Sequence, residues 1–476
     1  MNILLITLDQ FRGDSLGCAR HPLVKAPNLD RLAREGVRLA KHFSQSAPCG
    51  PGRASLYTGM YQMNHRVVAN GTPLDARFDN LALAARRAGY LPTLFGYTDQ
   101  AFDPRAASGP NDPRLRSYEE VLPGFDVGVH LPSGEPTAWI EWLRAKGYDV
   151  PDDAEAALMG EPDRPADVSM AAFLTERFLA WHADQTRPWF AHLSHLRPHP
   201  PYAAAGHFAR MYEPADVPMP IPPPASPEPW HATMLSVPEL QAPKDERTLR
   251  AMRAQYYGMI SEVDAQLGRV WAALEASGQW ENTFILVTAD HGEYLGDHGL
   301  KQKAGYFEQS YHVLGLIRDP RGGVQGRVVD QYTENVDVMP TLCAAMGVPV
   351  PVQCDGHSLM PFVRGETPDG WRTAAHWEFD WRYVFVPGTD FSSAKARDLD
   401  RQNLAVLRRD DAAYVHFGDG RSLAFDLAAD PSWRTPLNDP ASVLGLAQEM
   451  LTWRATHLDR ILTGTLIHEG VVGRKP

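Results

Sequence analysis

The chain is predicted to be an α/β protein, and three observations carry that prediction. Two apolar runs of strand length end in chemistry-bearing residues: "NILLITLD" closes on Asp9, and "FILVTADHGE" leads to Asp290 and His291. Unbroken apolar runs of this kind mark parallel strands buried on both faces. Helical patterns lie between them, and strands alternating with helices build a sheet covered on both sides. After about residue 375 the pattern changes to short strands.

Taken in order, "APNLDRLAREGV" and "NLALAARRAGY" read as short helices. The strongest helix is "YYGMISEVDAQLGRVWAALEASG", where Met259, Val263, Leu267, Val270, Trp271 and Leu274 fall on one face. Ligands of open α/β sheets bind beyond the carboxyl ends of the strands, which brings Asp9 and Asp290 to one edge. Two stretches read as irregular, roughly 101–165 and the proline-rich "YEPADVPMPIPPPASPEPW" near 212–230. Loops this long in a compact enzyme serve as lids or interface arms. Near the end, "LAVLRRDD", "AAYVHFG" and "RSLAFDL" read as strands, with "GDG" at 418–420 as a hairpin turn. The expected division is a main α/β domain over 1–375 and a small antiparallel C-terminal subdomain over 376–476.

A length of 476 residues, with 44% hydrophobic and 22% charged, allows a large core. The formal charge of −12 argues against nucleic-acid binding, whose footprint is a basic excess. Any anion pocket must therefore be locally basic against the mean field, so individual Arg, Lys and His residues are informative. Cys18, Cys49, Cys343 and Cys354 are too scattered for a disulfide framework and form no CxxC pair. The opening "MNILLITLDQFRGD" has neither the basic region nor the cleavage site of a signal peptide. No stretch approaches the roughly 20 apolar residues of a membrane span. A cytoplasmic protein with no membrane or nucleic-acid partner is expected.

Asp9–Gln10 and Asp290–His291, at two strand tips, offer three oxygens and one imidazole. Two carboxylates brought together without a cation repel and raise each other's pKa, and a divalent metal resolves that. Each pair alone would read as a helix cap or a surface acid; the two together point to metal. Oxygens plus one imidazole suit Mn²⁺ best, with Ca²⁺, Mg²⁺ and Zn²⁺ as alternatives.

"SAPCGPGRASLYTG" places Cys49 between prolines and four residues before Arg53. A lone cysteine is most often a small buried apolar residue, and a thiol nucleophile needs a His or helix N-terminus to lower its pKa. Neither explains the frame Cys49-Gly50-Pro51-Gly52-Arg53. That frame resembles the sulfatase signature C-x-P-x-R, in which the cysteine is oxidised to formylglycine (3-oxoalanine). The resemblance continues through "ILLITLDQFRGD", "VTADHGEYLGDHGLKQK", "ENVDVMPTLCAAMGV", "DGHSLMPFVRGE" and "FDLAADP", covering nearly the whole chain. The chain is most similar to the branch of the alkaline phosphatase superfamily holding phosphonate monoester hydrolases and related arylsulfatases, which share Gln10 and His291. Calcium-type sulfatases generally carry Asp and Asn there. Gly52 stands where Ser or Ala is usual.

The resemblance implies an alkaline-phosphatase-like sandwich: a large mixed, mostly parallel sheet flanked by helices, plus the small C-terminal antiparallel-sheet subdomain. It implies a metal site of Asp9, Gln10, residue 49, Asp290 and His291. A hydrated aldehyde at position 49 is a geminal diol whose metal-bound hydroxyl can ionise near neutral pH. One oxygen attacks sulfur or phosphorus; the other then loses its proton and collapses to the aldehyde, expelling the product by C–O cleavage. Such a site should tolerate several ester types. By matching positions, Arg53 orients the diol, Asn70 contacts a non-bridging oxygen, and Lys303, not Lys301, holds the substrate anion. His199 binds substrate and protonates the leaving oxygen, while His192 and His195 read as structural. Tyr97 lines the pocket. Asp99 stands where phosphonate hydrolases have Thr; it opposes a second negative charge, accepts a hydrogen bond or, if protonated, donates one.

The expected function is hydrolysis of sulfate monoesters, arylsulfatase-like, with phosphonate monoesters and phosphodiesters as related substrates. The alternative puts phosphonate monoesters and phosphodiesters first. Expected partners are a small-molecule ester and a formylglycine-generating enzyme during maturation. Homo-oligomerisation as dimer or tetramer is expected through the arm-like tail "TGTLIHEGVVGRKP". A metal-binding scaffold that never gains its aldehyde would be expected to have lost some of Cys49, Pro51, Arg53, His199 and Lys303. A hydrolase using the unmodified thiol would be inactivated by alkylating agents. Trp230 and Tyr202 read either as an aromatic rim for an aryl group or as core.

Overall fold

The first apolar run forms strand β1 (Asn2–Leu8), buried at every position. The structure is a computed structural model describing residues 1–132, 134–382, 399–459, 461–463, 465–468 and 471–474. The other strands of the large sheet and its neighbour are β2 (Val37–Phe43), β3 (Ser46–Ala47), β4 (Pro92–Gly96), β5 (Asp126–His130), β6 (Phe190–His195), β7 (Thr283–Thr288), β8 (Gly315–Arg318) and β9 (Arg327–Glu334). Toward the C-terminus follow β10 (Ala375–Asp380), β11 (Asn403–Arg408), β12 (Ala412–Phe417), β13 (Ser422–Asp426), β14 (Thr465–His468) and β15 (Val471–Arg474). The helices are α1 (Pro27–Glu35), α2 (Cys49–Thr58), α3 (Gln62–His65), α4 (Leu81–Arg87), α5 (Thr137–Ala145) and α6 (Ala154–Met159). They continue with α7 (Met170–Ala183), α8 (Pro229–Met234), α9 (Glu246–Ala276), α10 (Val338–Met346), α11 (Met360–Val363) and α12 (Pro440–Thr456).

An eight-stranded sheet runs β5-β4-β6-β1-β7-β8-β2-β9. Only β8 is antiparallel to its neighbours β7 and β2, so the sheet is mixed and mostly parallel, as the resemblance implied. Successive β1 side chains serve two cores. Leu4, Ile6 and Leu8 pack with α1, α5, α7 and α9, whereas Ile3 and Leu5 pack with α2, α4, α10 and α11. This double burial is why the strand reads as an unbroken apolar run. Parallel pairing sets Thr7 opposite Thr288, so Asp9 and Asp290, two residues on, leave the same edge side by side.

The second sheet has the order β13-β12-β11-β10-β3. Its last four strands in sequence form an antiparallel meander, in which β11, β12 and β13 are the three strands the sequence predicts and β10 is an addition. It also pairs β10 in parallel with β3, which lies just before Cys49 and so ties the start of α2 to the smaller sheet. One face buries Phe43, Trp377, Val406 and Trp433 against the main body; the other packs on Leu446, Met450 and Trp453 of α12. The tail forms an antiparallel hairpin of β14 and β15.

The stretch 101–165 is not irregular throughout. It holds the edge strand β5 and helices α5 and α6. β5 escapes sequence reading because an edge strand needs no apolar run, and Val127 is exposed. The long helix α9 starts ten residues before its apolar pattern, where the Asp245 side chain caps it by accepting from the Thr248 amide; such a cap contributes about 1 kcal/mol. The proline-rich segment runs along the 296–299 turn: Asp297 Oδ1 accepts from the Ile221 amide at 2.7 Å, and the His298 amide donates to the Ile221 carbonyl at 2.7 Å. Among the described residues no helix is long and apolar enough to cross a membrane.

Candidate active site

Three elements converge beyond the sheet's carboxyl edge. β1 delivers Asp9 and Gln10, β7 delivers Asp290 and His291, and α2 begins at Cys49 between them. Asp9, Gln10, Arg53, Asp290 and His291 have no solvent exposure. The close approach of α2 to the strand tip requires Gly52, since a Cβ there would meet the Asp290 carbonyl oxygen at 2.5 Å.

Arg53 organises the cluster. Its Nε donates to Asp290 Oδ2 at 2.8 Å and its Nη2 to Asp9 Oδ2 at 3.1 Å. Its Nη1 donates to the Tyr97 carbonyl at 2.9 Å and to Ser194 Oγ at 2.8 Å. One guanidinium thus occupies the far oxygens of both carboxylates. On the near side, His291 Nε2 lies 3.2 Å from Cys49 Sγ and 3.8 Å from both Asp9 Oδ1 and Asp290 Oδ1. His291 Nδ1 faces the Gly292 carbonyl at 3.0 Å, which fixes that nitrogen as the donor. The Nε2 lone pair is therefore turned to the cluster, as metal-ligating histidines require. One ligand atom each from Asp9, Cys49, Asp290 and His291 lies within 4.8 Å of the others. The set fits a divalent cation. Burial opposes ionisation of Asp9, yet the basic groups around it, His199 and Arg53 first, hold its carboxyl well below the usual range.

The Cys49 thiol is not activated: burial and then Asp9 push its pKa well up. Lys303 Nζ stands 3.5 Å from Cys49 Sγ and donates to Gln10 Oε1 at 2.9 Å. Burial works against its charge, but Cys49 and Asp9 raise its pKa, so it stays protonated. Lys303 Nζ also lies 2.8 Å from His199 Nε2. His199 Nδ1 faces the Pro200 carbonyl at 2.7 Å and so keeps its proton. Burial and Lys303 lower the imidazole pKa to about 3, leaving Nε2 as acceptor from the ammonium. Beside His199 opens a cleft of about 400 Å³, with Leu158, Leu196, Pro200, Pro201 and Gln302 in its wall.

The other predicted residues surround Cys49. Asn70 Oδ1 accepts from the Gly50 amide at 2.9 Å, which leaves its Nδ2 to donate. Tyr97 is buried beside the cluster, donates to Asp9 Oδ2, and lies under the Arg53 guanidinium at 4.1 Å. Asp99 is buried near Gly50, and burial raises its pKa to about 7.

Several positioning residues carry no sequence signal of their own. Glu293, next after the "ADHG" run, accepts from the Gln10 side chain, from Tyr202 OH at 3.0 Å and from the Leu295 and Gln302 amides at 2.8 and 2.6 Å. Arg197 donates to the carbonyls of His199, Pro201 and Ala203 and to Glu161, fixing the His199 loop. His192, bonded to Thr7 at 3.1 Å, and His195 are buried in β6, as structural residues. Trp230 belongs to the core, packed on Phe379 and Trp381.

The Sulfatase family model matches residues 1–348. The chain is 39% identical to the multifunctional alkaline phosphatase superfamily protein PehA of Trinickia caryophylli, over 97% of this chain and 96% of that one. It is 28% identical to an arylsulfatase of Clostridium perfringens, over 92% of this chain and 90% of that one. The crystal structure of the phosphonate monoester hydrolase of Agrobacterium radiobacter superposes with a TM-score of 0.92 at 43% identity, covering 100% of this chain and 99% of that one. The strand-tip acids, the Cys49-x-Pro51-x-Arg53 turn of helix and these likenesses agree: the chain belongs to the sulfatase family of the alkaline phosphatase superfamily.

Proposed function

We propose that the protein is a formylglycine- and metal-dependent hydrolase of sulfate monoesters, arylsulfatase-like, that also cleaves phosphonate monoesters and phosphodiesters. One observation carries this: Cys49 sits against Asp9, Asp290 and His291 while Arg53 fills only the far oxygens of the two acids. Cys49 Sγ marks the position of the oxygen that would replace it on conversion to formylglycine. A divalent ion, Mn²⁺ by donor type, would be held by Asp9, Gln10, Asp290 and His291 and would supply the positive charge that favours ionisation of that oxygen near neutral pH.

The chain's own residues supply the rest. Arg53 aims both carboxylates inward by holding their far oxygens. Lys303 and the Asn70 amide meet the non-bridging oxygens of the ester. His199, protonated at Nε2 from solvent once the ester anion offsets Lys303, gives that proton to the leaving oxygen, whose organic group occupies the cleft walled by Leu158, Leu196 and Pro200. A second reading, phosphonate monoesters and phosphodiesters first, is favoured by Gln10 and His291 and by the similarity to a phosphonate monoester hydrolase.

Cys49, Pro51 and Arg53 are buried in α2, so a formylglycine-generating enzyme would act before folding closes over them. A cytoplasmic homo-oligomer using the C-terminal hairpin completes the reading. The test is the mass of the residue-49 peptide from fully active protein made in its own host, together with turnover of an aryl sulfate and a phosphonate monoester. An aldehyde mass and loss of both activities in Cys49→Ala are expected. Full activity with an intact thiol would overturn the chemistry.

A further inference from the structure

Asp99 is the acid in this site that nothing in the mechanism employs. It is only 4% exposed, and neither carboxylate oxygen has a hydrogen-bond partner among the described residues. Its backbone is left-handed, with φ of 50°, a conformation that asparagine, aspartate and glycine tolerate best. The placement is enforced. Gln100 Nε2 donates to both the Asp99 and Gly50 carbonyls at 2.9 Å. A Cβ on Gly50 would meet Asn70 Oδ1 at 3.2 Å and the Asp99 carbonyl at 3.3 Å. Asp99, Asn70 and the start of α2 therefore close on one another beside the nucleophile.

The charges facing Asp99 come from every side of the site. Arg53 is the facing cation, opposed by Glu119, Asp9 and Asp290; Cys49, Tyr57 and Tyr118 also sense the carboxylate. Arg53 offers no salvation, because its donors are committed to Asp290, Asp9, Tyr97 and Ser194. Lys303 and His199 face each other and Gln10. The site thus carries a cation at Lys303 and, at Asp99, a buried acid with no hydrogen-bond partner among the described residues.

We propose that Asp99 sets the charge class of the ester the site accepts, admitting monoanions whose uncharged substituent turns toward it and rejecting phosphate monoester dianions. This deepens the proposed function and rests on it for the placement of substrate. Two routes lead to the same discrimination. An ionised Asp99 repels the second charge directly. A protonated Asp99 accommodates it only if the site takes up a proton, which costs more as pH rises above the group's pKa of about 7. A phosphodiester or phosphonate monoester presents a neutral group on that side and avoids both costs.

Binding can be measured without turnover. Calorimetry at about pH 8.5, where both Asp99 and a phosphate monoester are mainly ionised, compares phenyl phosphate with phenyl methylphosphonate on metal-loaded Cys49→Ala protein. Adding Asp99→Asn should raise the affinity ratio of dianion to monoanion at least tenfold, about the factor that one nearby buried charge supplies. Asp99→Gly, which also accepts the left-handed backbone, should do the same. An unchanged ratio in both variants, including equal weakening of both ligands, would overturn the proposal. Failure of matured wild-type protein to cleave aryl sulfate or phosphonate ester would instead sink the proposed function, and the affinity ratio would still decide the role of Asp99.

Discussion

Asp9, Asp290 and Arg53 at the strand tips, and Glu334, Asp337 and Arg372 where the two sheets meet, are built from the same parts. Each is a pair of carboxylates sharing one guanidinium out of water. They differ in what is left over. At the seam every oxygen is taken: Arg372 grips both oxygens of Asp337, the Glu334 and His357 amides add to them, and Tyr61 OH and the His376 amide fill Glu334 at 2.6 and 2.8 Å. At the strand tips Arg53 takes the Oδ2 atoms, the Gln10 and His291 amides reach Asp290 Oδ1 at 3.2 and 2.9 Å, and the one hydrogen-bond donor at Asp9 Oδ1 among the described residues is the Cys49 thiol, at 3.9 Å. Both clusters carry one negative charge too many for their arginine. The seam resolves this with a proton, as burial raises Glu334 to about 7. The strand tips keep Asp9 ionised and retain capacity for a cation. Unfilled ligand capacity, rather than buried charge, separates the site from the joint.

The most damaging way to break this contrast is Arg53→Met. It leaves two buried carboxylates facing each other and removes the charge that aims them. kcat/KM should fall by about 10³-fold or more, with weakened metal retention in the purified protein. Near-normal turnover would show that the acids are held by something else. Arg372→Met, the matching change at the seam, should cost about 3–5 kcal/mol of stability in denaturant unfolding, since it leaves a buried acid pair uncompensated. Turnover per folded molecule should stay within about twofold. A large loss of kcat would mean that the two clusters are not separable.

Legibility follows how local the physics is. Asp9 and Asp290–His291 stand out because strands buried on both faces leave continuous apolar runs, and such runs end at the ligand edge of the sheet. Residues 49–53 stand out because their frame is contiguous. Lys303, His199 and Asn70 show themselves only through the family resemblance, as isolated polar residues carry no periodicity. Glu293, Arg197, Ser194 and Gln100 stay hidden because their partners lie far away in sequence: Arg53 and Ser194 are 141 positions apart, and Gln10 and Glu293 are 283 apart. β5 is missed because it is short and at an edge. Tyr97 too shows itself only through the resemblance, and the fold sets its hydroxyl against Asp9. The seam cluster has no sequence mark at all, for it exists only once β9 and β10 are adjacent.

The smallest effect sharpens the comparison through pH. Glu334 in the folded protein has a pKa of about 7, against 4.5 for an ordinary glutamate, with burial the main cause and the neighbouring Asp337 adding to it. The folded state therefore holds this proton more tightly than the unfolded chain does. The stability contributed by the neutral acid is fully present below about pH 4.5 and is lost as pH rises through about 7. Glu334→Gln removes the titration while keeping a neutral side chain of the same shape. The difference in unfolding free energy, wild type minus variant, should then fall by at most about 3 kcal/mol between those two pH values and stay level above them. Because a joint should not feel substrate, an ester analogue that binds at the strand tips should leave that difference unchanged. If the difference does not vary with pH, Glu334 is ionised in the fold. The excess charge at the seam would then be balanced as it is at the strand tips, and the distinction between proton and cation would fail.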